Sequence, residues 1–342
     1  MAEAPRAGLR GRLERYLNEV WYGDRRPAAW LRLLEGVHGG LARRRTRPPR
    51  QATEDLPPII VVGNLTAGGT GKSPLVIWLA GRARGLCFRP GIISRGHGGR
   101  PQEAPRFVDA RTDPAEVGDE PVMLARETGV PVVVCRHRLE AARAIAGEVD
   151  LIIADDGLQH RALPRAYEIV VRDAVRGFGN GRLLPAGPLR EPVDRLESVD
   201  LVIDGGSPDG LQLQPEALVH LRTEQSERLD ALRNRASVHA VAGIGNPDRF
   251  FADLEGAVGR SVVRHAFPDH WAFARTDLAD LETACVVMTA KDAVKCSEFA
   301  GEDWWRLASR PVLAEPAETA ITTWLRSLRG DATQPDASDQ HE

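Results

Sequence analysis

The stretch Pro57-Pro58-Ile59-Ile60-Val61-Val62-Gly63-Asn64-Leu65-Thr66-Ala67-Gly68-Gly69-Thr70-Gly71-Lys72-Ser73-Pro74 constrains this chain more than any other. A run of apolar β-formers enters a glycine-rich turn that closes on Gly-Lys-Ser, after which Leu75, Val76, Leu79 and Ala80 recur at helical spacing. Strand, loop and helix in that order predict a phosphate-binding loop, because successive backbone N–H groups point inward at a polyphosphate and the helix N-terminus adds partial positive charge. On this reading Thr66, Ala67, Gly68, Gly69, Thr70, Gly71, Lys72 and Ser73 surround a nucleoside triphosphate. Lys72 reaches its terminal phosphates and the Ser73 hydroxyl ligates Mg²⁺. The general pattern G-x-x-x-x-G-K-[ST] asks for glycine where Thr66 stands, and Gly68 and Gly69 supply the loop's flexibility instead. Such a segment predicts an α/β fold with a P-loop NTPase-type, mostly parallel sheet and helices on both faces.

Five further segments carry chemistry. Asp150-Leu151-Ile152-Ile153-Ala154-Asp155-Asp156-Gly157 is an apolar strand that ends in paired carboxylates. Adjacent like charges are disfavoured without a cation, so Asp155 and Asp156 are expected to hold the Mg²⁺ shared with Ser73. Strand Pro90–Ser94 runs into Arg95-Gly96-His97-Gly98-Gly99. Parallel sheets gather ligand loops at the carboxyl ends of their strands, which would bring Arg95 to the triphosphate; a structural glycine turn is the alternative. Gly118-Asp119-Glu120-Pro121 reads as an acidic N-cap before the helical Val122–Arg126. Phe267-Pro268-Asp269-His270 sets an Asp-His pair among aromatics, and Thr289-Ala290-Lys291-Asp292-Ala293-Val294-Lys295 opens a helix with two lysines and a carboxylate. A guanine-reading N/T-K-x-D motif needs Asp two places after Lys; Asp292 is adjacent to Lys291, so GTP is not supported.

At 342 residues the chain is long enough for two cores. Residues 1–50 hold two amphipathic helices, with Leu13, Val20, Trp21, Trp30, Leu31, Leu34 and Val37 on apolar stripes, and carry twelve Arg against five acidic residues. Such helices suit an anionic bilayer surface or the flank of their own domain. Residues 51–233 form the nucleotide-binding core, 234–330 a smaller α/β unit, and 331–342 a polar tail expected to be disordered. The overall net charge of −3 gives no pull toward nucleic acid. Four cysteines without C-x-x-C spacing indicate a reducing compartment and no metal cluster. No apolar run approaches the length of a spanning helix, and the N-terminus lacks a signal-peptide core. Of 45 basic residues only Lys72, Lys291 and Lys295 are lysine. A lysine kept against that bias marks a place where a compact ammonium is wanted, as in the phosphate loop.

Gly63–Pro74, Ser94-Arg95-Gly96-His97-Gly98-Gly99, Gly118–Pro121, Asp155-Asp156-Gly157-Leu158-Gln159-His160 and Arg182-Leu183-Leu184-Pro185-Ala186-Gly187-Pro188-Leu189-Arg190-Glu191-Pro192, in this order, resemble the tetraacyldisaccharide 4'-kinase family of lipid A biosynthesis. Phe267–His270 and Thr289–Lys295 extend the resemblance, which spans roughly residues 7–325. Thr66 is the family's usual residue, whereas His97, Leu158 and Ser73 stand where Tyr, Phe and Thr are commoner. The resemblance implies transfer of the ATP γ-phosphate to the 4'-hydroxyl of a tetraacylated glucosamine disaccharide 1-phosphate, giving lipid IVA at the cytoplasmic face of the bacterial inner membrane. It implies a membrane-touching N-terminus, and no protein partner is implied. It places the catalytic carboxylate on Asp119 with His270 as its partner, against the N-cap reading, and Arg190 and Asp269 beside the acceptor. Because Asp119 and His270 fall in different predicted units, the two are expected to close on each other. A P-loop ATPase or regulatory switch, or a kinase of another small acceptor, is the alternative.

Overall fold

The computed structural model describes residues 9–44 and 55–330. The polar tail and the arginine-rich end of the first fifty residues lie outside them. Helices α1 (Leu9–Tyr22) and α2 (Ala29–Arg44) are followed by β1 (Ile59–Gly63), α3 (Lys72–Gly85), β2 (Pro90–Ser94), β3 (Arg106–Val108), α4 (Pro114–Val117) and α5 (Asp119–Thr128). Then come β4 (Val132–Val134), α6 (Arg138–Ile145), β5 (Leu151–Asp155), β6 (Tyr167–Asp173), β7 (Leu201–Gly205), β8 (Leu211–His220) and β9 (Ser226–Arg228). The last elements are β10 (His239–Ala242), α7 (Pro247–Val258), β11 (Val263–Ala266), β12 (Val286–Met288), α8 (Ala290–Cys296), β13 (Trp304–Leu313) and α9 (Glu315–Leu328).

One sheet runs in the order β11-β10-β12-β13-β8-β7-β6-β1-β5-β2-β4-β3, with β9 paired to β8. β1 lies between β5 and β6, parallel to both, as an all-apolar strand buried on two faces should. Side chains alternate between the faces. Ile60, Val62, Ile92 and Ile153 pack under α3, α5 and α9 through Leu75, Leu79, Val122, Leu124, Ile321 and Leu325. Ile59, Val61, Ile93 and Ile152 pack against Ala141, Ala142 and Ile145 of α6. Beyond β13 the pattern repeats: Ala240, Ala242 and Val287 meet Phe251 and Leu254 of α7, while Val241, Val286 and Met288 meet Ala293 and Cys296 of α8.

The Gly205–Gln214 stretch, though rich in Gly, Ser, Pro and Asp, contains the start of β8. Leu211-Gln212-Leu213-Gln214 alternates at period two, and this ten-residue strand pairs antiparallel with ten-residue β13. β8 pairs with β7 only at Gly205 and Leu211 and so runs on past the carboxyl ends of the first set, while β13, β12 and β10 run opposite to β8 and point their carboxyl-end loops back toward those of the first. Helix α9 then returns to the first set, where Arg82 Nε donates to Thr322 Oγ1 at 3.0 Å.

Candidate active site

The phosphate loop is built by close approach. A Cβ at Gly63 would lie 2.5 Å from Leu158 Cβ, so only glycine lets β1 end against that segment. Gly68 and Gly71 take φ of 108° and 84°, a region glycine enters without steric cost. A Cβ at Gly68, Gly69 or Gly71 would meet nothing within 4 Å, so the loop faces open space. Gly71 precedes α3 and no side chain caps that helix, which leaves its first N–H groups for an anion. Thr66 is buried, and its carbonyl accepts from Asn64 Nδ2 at 2.8 Å. The Ala67 N–H donates to Pro188 O at 2.7 Å, so the turn-rich 182–190 segment braces the loop. Lys72 Nζ donates to Asn64 Oδ1 at 3.2 Å and lies 3.4 Å from Asp156 Oδ1.

Strand β5 delivers Asp155 buried, with 1% of its surface exposed. Its Oδ2 accepts from Ser94 Oγ at 3.2 Å, while Oδ1 is buried without a hydrogen-bond partner. Burial, together with the charges of Glu120 and Asp156, pushes its pKa up to about 7. Asp156 has a left-handed φ of 48° and turns its carboxylate the other way, to Arg190 Nη1 at 3.2 Å and to Lys72. Burial would raise its pKa too, but Lys72 and Arg190 hold it at about 2. Two carboxylates adjacent in sequence are thus driven in opposite directions by what each faces. Arg190 Nη1 also reaches Gln159 Oε1 at 3.4 Å, which places this expected acceptor residue beside the nucleotide carboxylate. Arg95 is exposed on the loop after β2, and its charge bears on Arg138, whose Nη2 donates to the Asp155 carbonyl at 3.4 Å.

The N-cap reading of Asp119 is overturned. Gly118 is the N-cap of α5, with φ of 93°; a Cβ there would lie 2.5 Å from His97 O, which fixes glycine at this position. Asp119 is the first helical residue, and its carboxylate bonds His270 Nδ1 at 3.1 and 3.2 Å. The expected closure between the two is therefore the arrangement present. His270 is itself held at a left-handed φ of 58°, uncommon outside glycine and characteristic of functional positions.

Both unassigned lysines converge here from α8. Lys291 Nζ lies 3.0 Å from Asp269 Oδ1, 3.2 Å from His270 Nε2 and 3.8 Å from Glu120 Oε1. An ammonium only donates, so in the neutral imidazole Nε2 accepts and Nδ1–H donates to Asp119. Lys295 Nζ stands 3.6 Å from Asp119 Oδ2. Burial alone would raise the Asp119 pKa; the His270 hydrogen bond and the charges of Lys291, His270 and Lys295 hold it at about 2. The bond to Asp119 in turn raises the His270 pKa against burial and Lys291. The sequence signal for these lysines was their rarity in an arginine-rich chain; nothing in it showed what they would touch.

The two clusters adjoin. A Cβ at Gly245 would lie 3.4 Å from both the Gly69 nitrogen and Asp269 Oδ2, and Glu120 bears on Asp155 from one side and pairs with Lys291 on the other. A cleft of about 390 Å³ opens beside Asp119, His270 and Lys295, with Arg111 and Trp271 on its walls.

A phosphate loop on a mostly parallel sheet, with a carboxylate–histidine pair adjoining it, defines a P-loop phosphotransferase. The family model described as tetraacyldisaccharide-1-P 4'-kinase, LpxK, matches residues 27–328, and the chain belongs to that family. The tetraacyldisaccharide 4'-kinase of Pseudomonas aeruginosa is 46% identical over 301 residues, 84% of this chain and 90% of that protein. That of Alkalilimnicola ehrlichii is 48% identical over 306 residues, covering 85% and 91%. That of Dechloromonas aromatica is 45% identical over 338 residues, covering 93% and 98%. A crystal structure of LpxK from Aquifex aeolicus in complex with ATP shares the fold, with a TM-score of 0.64 at 23% identity over 93% of this chain and 99% of that one. The family read from the motif order is borne out.

Proposed function

We propose that this chain transfers the γ-phosphoryl group of ATP to the 4'-hydroxyl of a tetraacylated glucosamine disaccharide 1-phosphate. The observation that carries the reading is the Asp119–His270 pair, in contact at 3.1 Å and set beside an open phosphate loop. Asp119 accepts the hydroxyl proton as the sugar oxygen bonds to the γ-phosphorus. The bond from that phosphorus to the bridging oxygen breaks, and its electron pair leaves with ADP. His270 orients the carboxylate through Nδ1–H, and Lys72 neutralises charge on the transferring group. Arg190 and Asp269 lie within this machinery, on Asp156 and Lys291 respectively.

The donors fit Mg²⁺. Asp155 Oδ1 is buried and without a partner, and Ser73 stands in the first turn of α3. Among the described residues no three His, Cys, Asp or Glu side chains group as a closed metal cage. That is compatible with an ion that keeps waters and takes phosphate oxygens, needing one or two carboxylates. Asp155 and Ser73 would hold it, with Asp156 alongside. Bound there, it would neutralise charge on the phosphates. The test of the function is transfer of label from γ-³²P-ATP to the disaccharide 1-phosphate lipid; label found solely in inorganic phosphate would favour the ATPase or switch.

For the membrane, α2 supports one face. Trp30, Leu33, Leu34 and Val37 form an exposed stripe, with Leu33 at 74% and Val37 at 60%. Its inner side is docked: Leu31 is buried, Glu35 Oε2 pairs with Arg182 at 3.0 Å, and His38 Nε2 meets Arg190 O at 3.1 Å. Trp21 leaves the membrane set, because its Nε1 donates to Pro185 O at 3.0 Å. No helix among the described residues is long and apolar enough to cross a bilayer. The proposed location is the cytoplasmic face of the inner membrane, with anionic lipid against this stripe. Replacing Trp30, Leu33 and Val37 by Ser should release the protein from anionic liposomes and raise KM for lipid more than for ATP, since each buried side chain contributes about 1.5–3 kcal/mol. Unchanged liposome binding would reject this face.

A further inference from the structure

We propose that Lys295, anchored by the buried carboxylate of Asp292, is a positioning residue that holds Asp119 ionised while leaving a lone pair on its Oδ2 for the acceptor proton, Oδ1 being taken by the Glu120 N–H at 2.9 Å and by His270. The proposal rests on Asp119 being the base.

Asp292 has none of its surface exposed, and a charge so buried needs dedicated partners. Three come from different places. The Gly243 N–H at the end of β10 donates to Oδ2 at 2.8 Å, Thr289 Oγ1 donates to the same oxygen at 2.7 Å, and Lys295 Nζ lies 2.7 Å from Oδ1. Thr289 Oγ1 also accepts the Asp292 N–H at 3.1 Å, so the helix cap and the carboxylate lock one another. A Cβ at Gly243 would lie 3.1 Å from Oδ1 and 3.3 Å from the Phe273 ring, so glycine there keeps room for the pair. A carboxylate held this firmly is an anchor rather than a reactant.

The lysine is walled on its other sides. Its ammonium lies 5.1 Å from the centroid of the Phe273 ring and 3.6 Å from Asp119 Oδ2, and its side chain is 10% exposed. The difference between 2.7 and 3.6 Å matters. At the longer distance the charge still favours ionised Asp119, but it is beyond a hydrogen bond and takes up no lone pair. Asp292 thus restrains a cation that would otherwise close on the base and quench it. The planar fork of arginine is larger than this niche, which accounts for lysine in a chain that otherwise uses arginine.

The test uses the full chain at saturating ATP and lipid. Lys295→Met should lower kcat on the order of 10²-fold, as loss of precise positioning does, with KM for ATP unchanged. Lys295→Ala should lose as much and regain activity with added methylammonium but not with guanidinium. A packing role would give neither the rescue nor its selectivity, so an unrescued Lys295→Ala overturns the proposal whether or not its melting temperature falls. Near-normal kcat in Lys295→Met also overturns it. A fully active Asp119→Asn would instead sink the base assignment itself, whereas an inactive Asp119→Asn beside an active Lys295→Met rejects the role of Lys295 alone.

Discussion

Lys72→Ala is expected to lose phosphoryl transfer by a factor on the order of 10³ or more while the melting temperature stays close to that of the parent protein. The ammonium stands at the first residue of α3 with Asn64 and Asp156 as its partners, and its place in the chemistry is to follow charge as it develops on the transferring group. Its loss does not strip Asp156 of cations, because Arg190 Nη1 remains at 3.2 Å from that carboxylate. The structural cost is therefore small against the catalytic one. Lys72→Arg should be severely impaired as well, since a planar fork replaces a point charge in a loop shaped around backbone N–H groups. Steady-state kinetics with ATP decide it: near-normal transfer in Lys72→Ala would remove the nucleotide from this loop.

The second large effect concerns Asp119 and His270. Each alanine variant should lower kcat on the order of 10²–10⁴-fold, the range of a general base. The double variant should be little worse than the poorer single, because groups serving one step are not additive. The geometry sharpens the expectation. Gly118, not Asp119, is the N-cap of α5, so the loss of Asp119 removes from the helix only the bond from the Glu120 N–H to Oδ1 at 2.9 Å, and His270 touches Asp119 directly. A change in kcat would then report on chemistry. Measured kcat for both singles and the double gives the answer: fully multiplicative losses, or a catalytically healthy Asp119→Ala, would refute the pair.

Much of the nucleotide half was legible because its chemistry is local. Gly63 to Ser73 specify strand, loop and helix within one contiguous segment, and the four apolar residues before Asp155 could hardly be anything but a buried strand. Asp155 and Asp156 looked alike in the chain, however. Their separation into a buried, partnerless carboxylate and one clamped by Lys72 and Arg190 depends on Ser94, Arg190 and Glu120, which come from three other parts of the chain.

The amphipathic helices show the same division. Periodicity assigned an apolar stripe to each, but a stripe does not say what covers it. The structure buries Val20 and Leu31, ties Trp21 to Pro185, and leaves Trp30, Leu33 and Val37 in solvent.

What the sequence by itself determined is the phosphate loop, the carboxylate-tipped strand, the family through the order of its motifs, and three lysines worth suspecting. The first two are properties of contiguous residues and the last two of motif order and composition along the chain, where spacing and residue chemistry suffice. What only the tertiary structure decided is that Asp119 opens a helix rather than capping it, that β8 and β13 turn the second set of strands toward the first, and that Asp269, His270, Lys291 and Lys295 converge on Asp119. The reason is physical. Charges about 150 residues apart in the chain interact once packing brings them within a few ångströms and removes the water between them, and no local pattern records that distance.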